Sequence, residues 1–215
     1  MAINPFNTIL IFDWDDTLFP TSWFKSKGIR KDNITKDITI QLEDLDNICI
    51  QFLKHAQNLG RIVIVTNSVN GWVKISSKLF LPQVHQFISE IDVISARGKF
   101  KNLPIKECKV QTFKELIDND ILNILSFGDA SNDRDALFLA TKNQTGIYSK
   151  SFKFLQTPTV DELKTQLRLL TNTIDKLCNV HENLDLILLT QKCGDGEFES
   201  ESSDELSSIS SDEYY

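Results

Sequence analysis

The sequence lacks a long hydrophobic run. No apolar stretch in its 215 residues approaches the roughly 20 residues that a transmembrane helix needs. Residues 1–7 also lack the basic region and the long apolar region of a secretory signal. The sequence therefore predicts a protein with no membrane partner and a cytoplasmic location.

Cysteine is scarce and has no metal-binding pattern. The four cysteines show no C-x-x-C spacing, and two of them lie among apolar residues at helical spacing; they are Cys49, Cys108, Cys178 and Cys193. This usage favours reduced thiols over a disulfide framework or a zinc site.

Basic residues are absent from the C-terminal end of the chain. Residues 194–215 hold eight of the 30 acidic residues and none of the 23 basic ones, which leaves the rest with a net charge of +1. A near-neutral body without a basic face gives no support for nucleic-acid binding. The Ser-rich, acidic residues 193–215 cannot bury enough apolar area to offset their ordering entropy, and we predict a disordered tail.

The rest of the chain alternates between short apolar runs and amphipathic segments. Four runs have the β-branched and aromatic composition of buried strands, namely 8–12, 61–66, 91–96 and 121–128. Apolar residues recur at helical spacing over 42–59, 72–80, 110–117 and 133–140. This alternation predicts one domain over 1–192 with a three-layer α/β/α, Rossmann-like fold and a mainly parallel sheet.

The C-terminal part of this domain, residues 159–192, is predicted to be mainly helical. Thr159 and Glu162 form a capping box, and apolar residues then recur at four-three spacing as far as Leu177. This narrow stripe fits a helix packed on the domain or a homodimer seam, and "LDLILLT" at 184–190 is ambiguous between the two. Before this helix, residues 147–155 alternate weakly and predict an edge strand.

Polar residues follow three of the predicted strands. Ligands of open parallel sheets bind outside the carboxyl ends of the strands, so we expect these residues to converge on one crevice. Lys109, which we place at the start of the helix before the fourth strand, is expected to join them. The strand-end residues are Asp13, Asp15, Thr66, Asp129 and Asp133.

This set of side chains suits phosphoryl transfer to a carboxylate. Asp13 is predicted to be the nucleophile and to form an aspartyl-phosphate. A dianionic phosphate needs charge neutralisation there, and Mg²⁺ prefers oxygen ligands. We predict that Mg²⁺ binds Asp13, a main-chain carbonyl and Asp129, with Asp133 bound directly or through water.

The remaining side chains have predicted roles around the phosphate. Asp15, two residues after Asp13, would protonate the leaving oxygen and later accept a proton from water. Thr66 and Lys109 would hold the other phosphate oxygens and stabilise the charge of the transition state.

The motifs "DWDDTL", "VIVTN", a lysine and "GDASND", in this order, resemble the four signature motifs of the haloacid dehalogenase (HAD) superfamily of phosphohydrolases. The resemblance covers roughly residues 8–140. It implies that Asp13 is nucleophile and metal ligand, that Asp15 is acid/base and ligand through its carbonyl, and that Asp129 is a ligand. It also implies that Thr66 and Lys109 hold phosphate, and we add Asn67 from the second motif.

Within that superfamily, "DWDDTLFPTSW", "ISAR", "SFGD" and "KSFKFLQTPTVDELKTQL" are similar to a group of eukaryotic and protist-type members and to bacterial effector tyrosine phosphatases. The chain departs from the common HAD pattern at Asp16, where glycine is usual. The lysine motif is also ambiguous, because Lys99, Lys101 and Lys106 lie close to Lys109.

The short intervals between the motifs leave no room for a large cap domain. About 50 residues separate Asp13 from Thr66, and about 40 separate Thr66 from Lys109. An open site suits a phosphate on a macromolecule, so we predict a capless Mg²⁺-dependent phosphatase of phosphoproteins, with phosphotyrosine implied by the effector resemblance. The alternatives are a small-molecule sugar or nucleotide phosphatase, a signalling receiver domain and a non-catalytic phosphate-binding adaptor.

Overall fold

Six parallel strands form the central layer of the computed structural model, which describes residues 2–189. The strands are β1 (Thr8–Phe12), β2 (Arg61–Thr66), β3 (Asp92–Ser95), β4 (Asn123–Gly128), β5 (Tyr148–Lys153) and β6 (Leu184–Ile187). Their order across the sheet is β3-β2-β1-β4-β5-β6, and every neighbouring pair is parallel. The predicted Rossmann-like α/β architecture is confirmed.

Helices connect the strands and cover the sheet. They are α1 (Thr21–Ser26), α2 (Lys36–Gln57), α3 (Trp72–Phe80), α4 (Pro82–Ile88), α5 (Ala96–Lys99), α6 (Ile105–Leu116), α7 (Ser131–Thr141) and α8 (Val160–Cys178). Between β1 and α2 the described chain contains only turns and the short helix α1. None of the helices in residues 2–189 combines the length and apolar character needed to cross a membrane.

The two faces of the sheet bury different residues of each strand. Leu10 and Phe12 belong to a core with residues of α2, α4 and α8, whereas Ile9 and Ile11 belong to a second core with residues of α6 and α7. This division follows from the alternation of side chains along a strand. Each strand between two helical layers therefore has to be apolar on both faces, which explains why β1 is buried throughout.

The C-terminal part corrects two predictions. β5 is not an edge strand, because β6 pairs with it through Lys150–Leu184 and the three following residue pairs. The sequence "LDLILLT", which was ambiguous between a packed helix and a dimer seam, contains the strand β6 instead. The capping box of Thr159 and Glu162 is present at the start of α8, whose apolar stripe packs in the core with α2. The predicted tail, 193–215, lies outside the described residues.

The topology creates a crevice beside β1. The first crossovers run from β1 to β2 and β3 on one side, and the chain then crosses back to β4 on the other side. The backbone amide of Asp13 still donates to the carbonyl of Phe127 at 2.8 Å, so the ladder continues just past the strand end. This reversal of strand order is the place where open α/β sheets bind ligands.

Candidate active site at the carboxyl end of the sheet

Asp13 lies immediately beyond β1 and points into the layer of α6 and α7. Phe12 packs in the core with α2, α4 and α8. Because side chains alternate along an extended chain, Asp13 points to the other face of the sheet and Trp14 packs in the same core as Phe12. Trp14 is fully buried and its indole N–H donates to Ser76 Oγ at 2.9 Å, which agrees with the sequence pattern. Asp13 is only 7% exposed.

Lys109 is the cation that meets Asp13. Its ammonium lies 3.0 Å from Asp13 Oδ1 and forms a second ion pair with Asp133. The helix α6 begins at Ile105, so Lys109 lies in the second turn and not at the helix start as we predicted. Lys109 is 3% exposed, whereas Lys99, Lys101 and Lys106 are exposed, and Lys99 pairs with Glu115. The geometry therefore favours Lys109 among the four candidates.

Asp129 and Asp133 complete a cluster of three carboxylates with Asp13. One oxygen of each lies within 4.8 Å of the other two. Asp133 is in the first turn of α7, and Gly128 at the end of β4 makes room for it: a Cβ on Gly128 would lie 2.4 Å from Asp133 Cγ. The glycine of the "GD" motif is thus required by the close approach of the helix that supplies the third carboxylate.

The cluster is short of positive charge. Burial raises the pKa of Asp13 well above its usual range, and the neighbouring Asp133 and Asp129 raise it further against the lowering effect of Lys109. Burial, together with repulsion from Asp133 and Asp16, raises the pKa of Asp129 to about 7. Burial by itself would lower the pKa of Lys109, but attraction to Asp13 and Asp133 raises it above its usual value.

Asp15 lies apart from this cluster and is held by four side-chain donors. Ser68 Oγ donates to it at 2.6 Å, Trp72 Nε1 at 2.8 Å and Thr66 Oγ1 at 3.3 Å, and Thr21 also donates to it. The carboxylate of Asp15 is therefore not one of the three that group together in residues 2–189. Its predicted role as a ligand through the main-chain carbonyl stays a prediction.

Asp16 occupies a left-handed backbone conformation with φ of 56°. Such a conformation normally favours glycine, and aspartate is one of the few other residues that adopt it readily. Its carboxylate accepts hydrogen bonds from the backbone and hydroxyl of Ser22 at 2.8 and 2.5 Å. Asp16 thus adopts the left-handed turn and adds a contact to α1.

Thr66 and Asn67 follow β2 beside the cluster. Thr66 Oγ1 accepts the backbone N–H of Ser68 at 2.9 Å, so its hydroxyl is fixed between Ser68 and Asp15. The amide oxygen of Asn67 is buried without a hydrogen-bond partner in the described chain. Both residues line the same cavity as Asp13 and Lys109, as the strand-end placement predicts.

The cavity over these residues has a volume of about 610 Å³ and opens to solvent. Six of the seven predicted site residues line it, namely Asp13, Asp15, Thr66, Asn67, Lys109 and Asp133, and Asp129 joins them through the carboxylate cluster. Residues scattered over about 120 positions of sequence thus meet at one sheet edge.

The chain was compared with protein families, curated proteins and solved structures, and no relative was found. The argument for function therefore comes from the site itself.

The donor set fits a hard divalent cation. Asp13 Oδ1 is buried and its ion-pair partner is the Lys109 ammonium at 3.0 Å, and a carboxylate oxygen has a further lone pair that can bind a ligand. Burial and the neighbouring carboxylates raise the pKa of Asp13 and of Asp129, and a bound cation would offset this repulsion. Carboxylate oxygens are the ligands that Mg²⁺ prefers. Asp13, Asp129 and Asp133 are the residues that would hold it.

Several residues around the site have no clear signal in the sequence. Ser68 and Thr21 fix Asp15, and Lys25 and Arg97 line the cavity mouth. Trp72 at the start of α3 contacts Asp15 through its indole N–H. They lie shortly after a strand or in a short helix, and only the three-dimensional structure distinguishes these residues from those of ordinary turns.

Proposed function

We propose that the protein is a Mg²⁺-dependent phosphomonoester hydrolase of HAD type that acts through an aspartyl-phosphate on Asp13. The observation that carries the proposal is the ion pair of the buried Asp13 carboxylate with the Lys109 ammonium, inside a three-carboxylate cluster under an open cavity. A cation bound there would neutralise the phosphate and the carboxylates as they approach each other.

The chain's own residues account for both half-reactions. A carboxylate oxygen of Asp13 attacks phosphorus, the bond from phosphorus to the leaving oxygen breaks, and Asp15 gives that oxygen its proton. Water then attacks phosphorus, Asp15 takes the proton of that water, and the bond to Asp13 breaks with release of inorganic phosphate. Lys109, Thr66 and Asn67 would hold the phosphate oxygens meanwhile.

The substrate we propose is a phosphoprotein, with phosphotyrosine as one form. The chain between β1 and α2 has no inserted domain in the described residues, and the cavity opens to solvent. An open site admits a phosphate on a large molecule, whereas small metabolites are usually enclosed during reaction.

The fold weighs against two other classes. A signalling receiver domain has the strand order 2-1-3-4-5, whereas this sheet has the order β3-β2-β1-β4-β5-β6. The latter order also occurs in dinucleotide-binding folds, but those place a glycine-rich turn after the first strand to admit a pyrophosphate. Here the carboxylates of Asp13, Asp15 and Asp16 stand at that point.

The experiment is hydrolysis of p-nitrophenyl phosphate with Mg²⁺, with EDTA, and in Asp13→Asn. We expect turnover that EDTA abolishes and that Asp13→Asn lowers by at least about 1,000-fold, since the nucleophile is lost. Asp37→Asn, which changes an exposed aspartate in the first turn of α2, is the matched control and should retain activity.

An acid-quenched sample should contain phosphate bound covalently to Asp13 and released by hydroxylamine. Binding of phosphate without turnover would show that the protein is a phosphate-binding adaptor and not an enzyme. Far faster turnover of sugar phosphates or nucleotides than of phosphopeptides would show that the substrate is a small molecule and not a phosphoprotein.

A further inference from the structure

The mouth of the cavity differs in charge from its floor. Four of the side chains that line the cavity are exposed, namely Lys25, Val69, Arg97 and Ile105, and we call these four the rim. Two are cations and two are aliphatic. The carboxylates that line the cavity all lie deeper, either buried or half-buried.

The rim cations have no acidic partner in the described part of the chain. Neither Lys25 nor Arg97 forms an ion pair in residues 2–189, whereas the exposed Lys99, Arg61 and Arg134 each pair with a carboxylate. The carboxylates of the cavity are already engaged: Asp15 by four donors, Asp16 by Ser22, and Asp13 and Asp133 by Lys109. Lys25 and Arg97 are thus available to a negative group outside the cavity floor.

The positions of the rim cations are set by two short elements. Lys25 lies on α1, which Asp16 anchors through Ser22, and Arg97 lies on α5, whose first turn is capped by Ser95 Oγ. Arginine and lysine side chains near a phosphate site bind anionic groups, and an aliphatic neighbour excludes water from part of such a contact. Val69 and Ile105 are 68% and 50% exposed, so they offer this apolar surface.

We infer that the leaving group of the substrate carries its own anionic groups, as in a phosphopeptide whose phosphorylated residue is flanked by Asp or Glu. This inference rests on the proposed function and adds to it the chemistry of the substrate. The phosphate occupies the floor with Asp13 and Lys109, Lys25 and Arg97 contact acidic residues on either side of it, and Val69 and Ile105 contact the peptide's apolar atoms. Lys25 and Arg97 are specificity residues and take no part in bond breaking.

The test compares two phosphotyrosine peptides that differ only in flanking residues, glutamate in one and glutamine in the other. We expect kcat/KM of the full chain to be about tenfold higher for the glutamate peptide, because each exposed charge pair contributes about threefold. Lys25→Gln/Arg97→Gln should reduce the ratio of the two kcat/KM values to about one, and Lys25→Glu/Arg97→Glu should invert it.

The matched control is Lys27→Gln/Lys99→Gln. It removes two exposed cations next to α1 and in α5 that do not line the cavity, and it should keep the ratio of the parent protein. High salt should lower the ratio as well, because exposed pairs are screened.

A ratio near one in the unchanged protein, with both peptides and p-nitrophenyl phosphate hydrolysed, would overturn this inference and leave the proposed function standing. The same holds if Lys25→Gln/Arg97→Gln keeps the tenfold preference. No turnover of any of the three substrates would overturn the proposed function and this inference together.

Discussion

Asp15 depends on its neighbours more than any other residue of the site. Its carboxylate accepts hydrogen bonds from four side chains of three separate segments: Thr21 at the start of α1, Thr66 and Ser68 after β2, and Trp72 at the start of α3. The proposed role of general acid and base requires that Asp15 be oriented toward the leaving oxygen, and these contacts can supply that orientation.

Trp72→Phe tests this role, because phenylalanine keeps most of the ring packing and loses only the indole N–H. One lost hydrogen bond of about 1 kcal/mol predicts a fall of about fivefold in kcat for p-nitrophenyl phosphate, measured at saturating substrate and Mg²⁺. Trp23→Phe, at a half-buried tryptophan of α1 packed against the core, is the control and should keep kcat. Unchanged kcat in Trp72→Phe would show that the remaining three donors suffice.

Individual site residues could be predicted where a motif and a strand end coincide. Asp13, Thr66 and Asp129 satisfy both conditions, and the cavity and the carboxylate cluster bring them together. Ser68 could not be selected, because a serine two residues after a strand is equally common in a turn that binds nothing. The contact of Trp72 with Asp15 spans 57 residues, so no local pattern records it.

At the scale of elements, the strand-to-helix connection from β4 to α7 builds the carboxylate cluster. Gly128 ends the strand and Asp133 lies in the first turn of the helix, and the two residues touch only because Gly128 has no Cβ. Asp129 lies between them. This single connection therefore supplies two of the three carboxylates, while β1 supplies the third.

Gly128→Ala should displace Asp133, since the added Cβ would lie 2.4 Å from Asp133 Cγ. We expect a loss of about 1–3 kcal/mol in the free energy of unfolding, as for other overpacked sites. The stabilisation by Mg²⁺, about 2.7 kcal/mol at 100 times the dissociation constant, should also be lost. Urea unfolding with and without Mg²⁺ measures both effects.

Gly146→Ala is the control for Gly128→Ala. Gly146 has a φ of 82°, so alanine there is strained, but nothing lies within 4 Å of an added Cβ. This variant should lose stability and still respond to Mg²⁺. A Gly128→Ala protein that keeps the full response would contradict the cluster as the cation site.

Helices and strands could be predicted where an apolar run, apolar residues at helical spacing or a capping residue marks them in the sequence. The capping box of Thr159 marks the start of α8, and the apolar runs mark β1, β2 and β4. α2 begins at Lys36, six residues before the predicted start, because Thr35 caps it and Ile38, four residues before Leu42, already packs against the core although most of its first turn is exposed. β6 was missed because its four residues become a strand only through pairing with β5.

At the scale of the whole molecule, a buried lysine links the sheet to its C-terminal helix. Lys150 in β5 is fully buried, and its ammonium donates to Asn123 Oδ1 in β4 and to the carbonyl of Cys178 at the end of α8, both at 2.7 Å. A cation at a helix C-terminus is favourable, but burial without a carboxylate partner is costly. Burial lowers the pKa of Lys150 to about 8 from its ordinary value of 10.5.

The sign of the pH dependence follows from proton binding by the two states. Between about pH 8 and 10.5 the unfolded chain keeps the proton of Lys150 and the folded chain does not, so the unfolded state binds more protons. The free energy of unfolding then rises with pH, by up to about 1.4 kcal/mol per unit. Lys150→Met, which cannot titrate, lacks this rise.

We therefore expect the stability of the parent protein to increase relative to Lys150→Met by about 1–2 kcal/mol between pH 8 and 10, measured by urea unfolding at each pH. Ser151→Ala changes a buried, non-titrating neighbour in the same strand and should follow the parent protein throughout this range. A constant difference between the parent and Lys150→Met from pH 8 to 10 would mean that Lys150 keeps its charge on folding. The ammonium would then be stabilised by the α8 carbonyl and Asn123 strongly enough to offset the full cost of its burial.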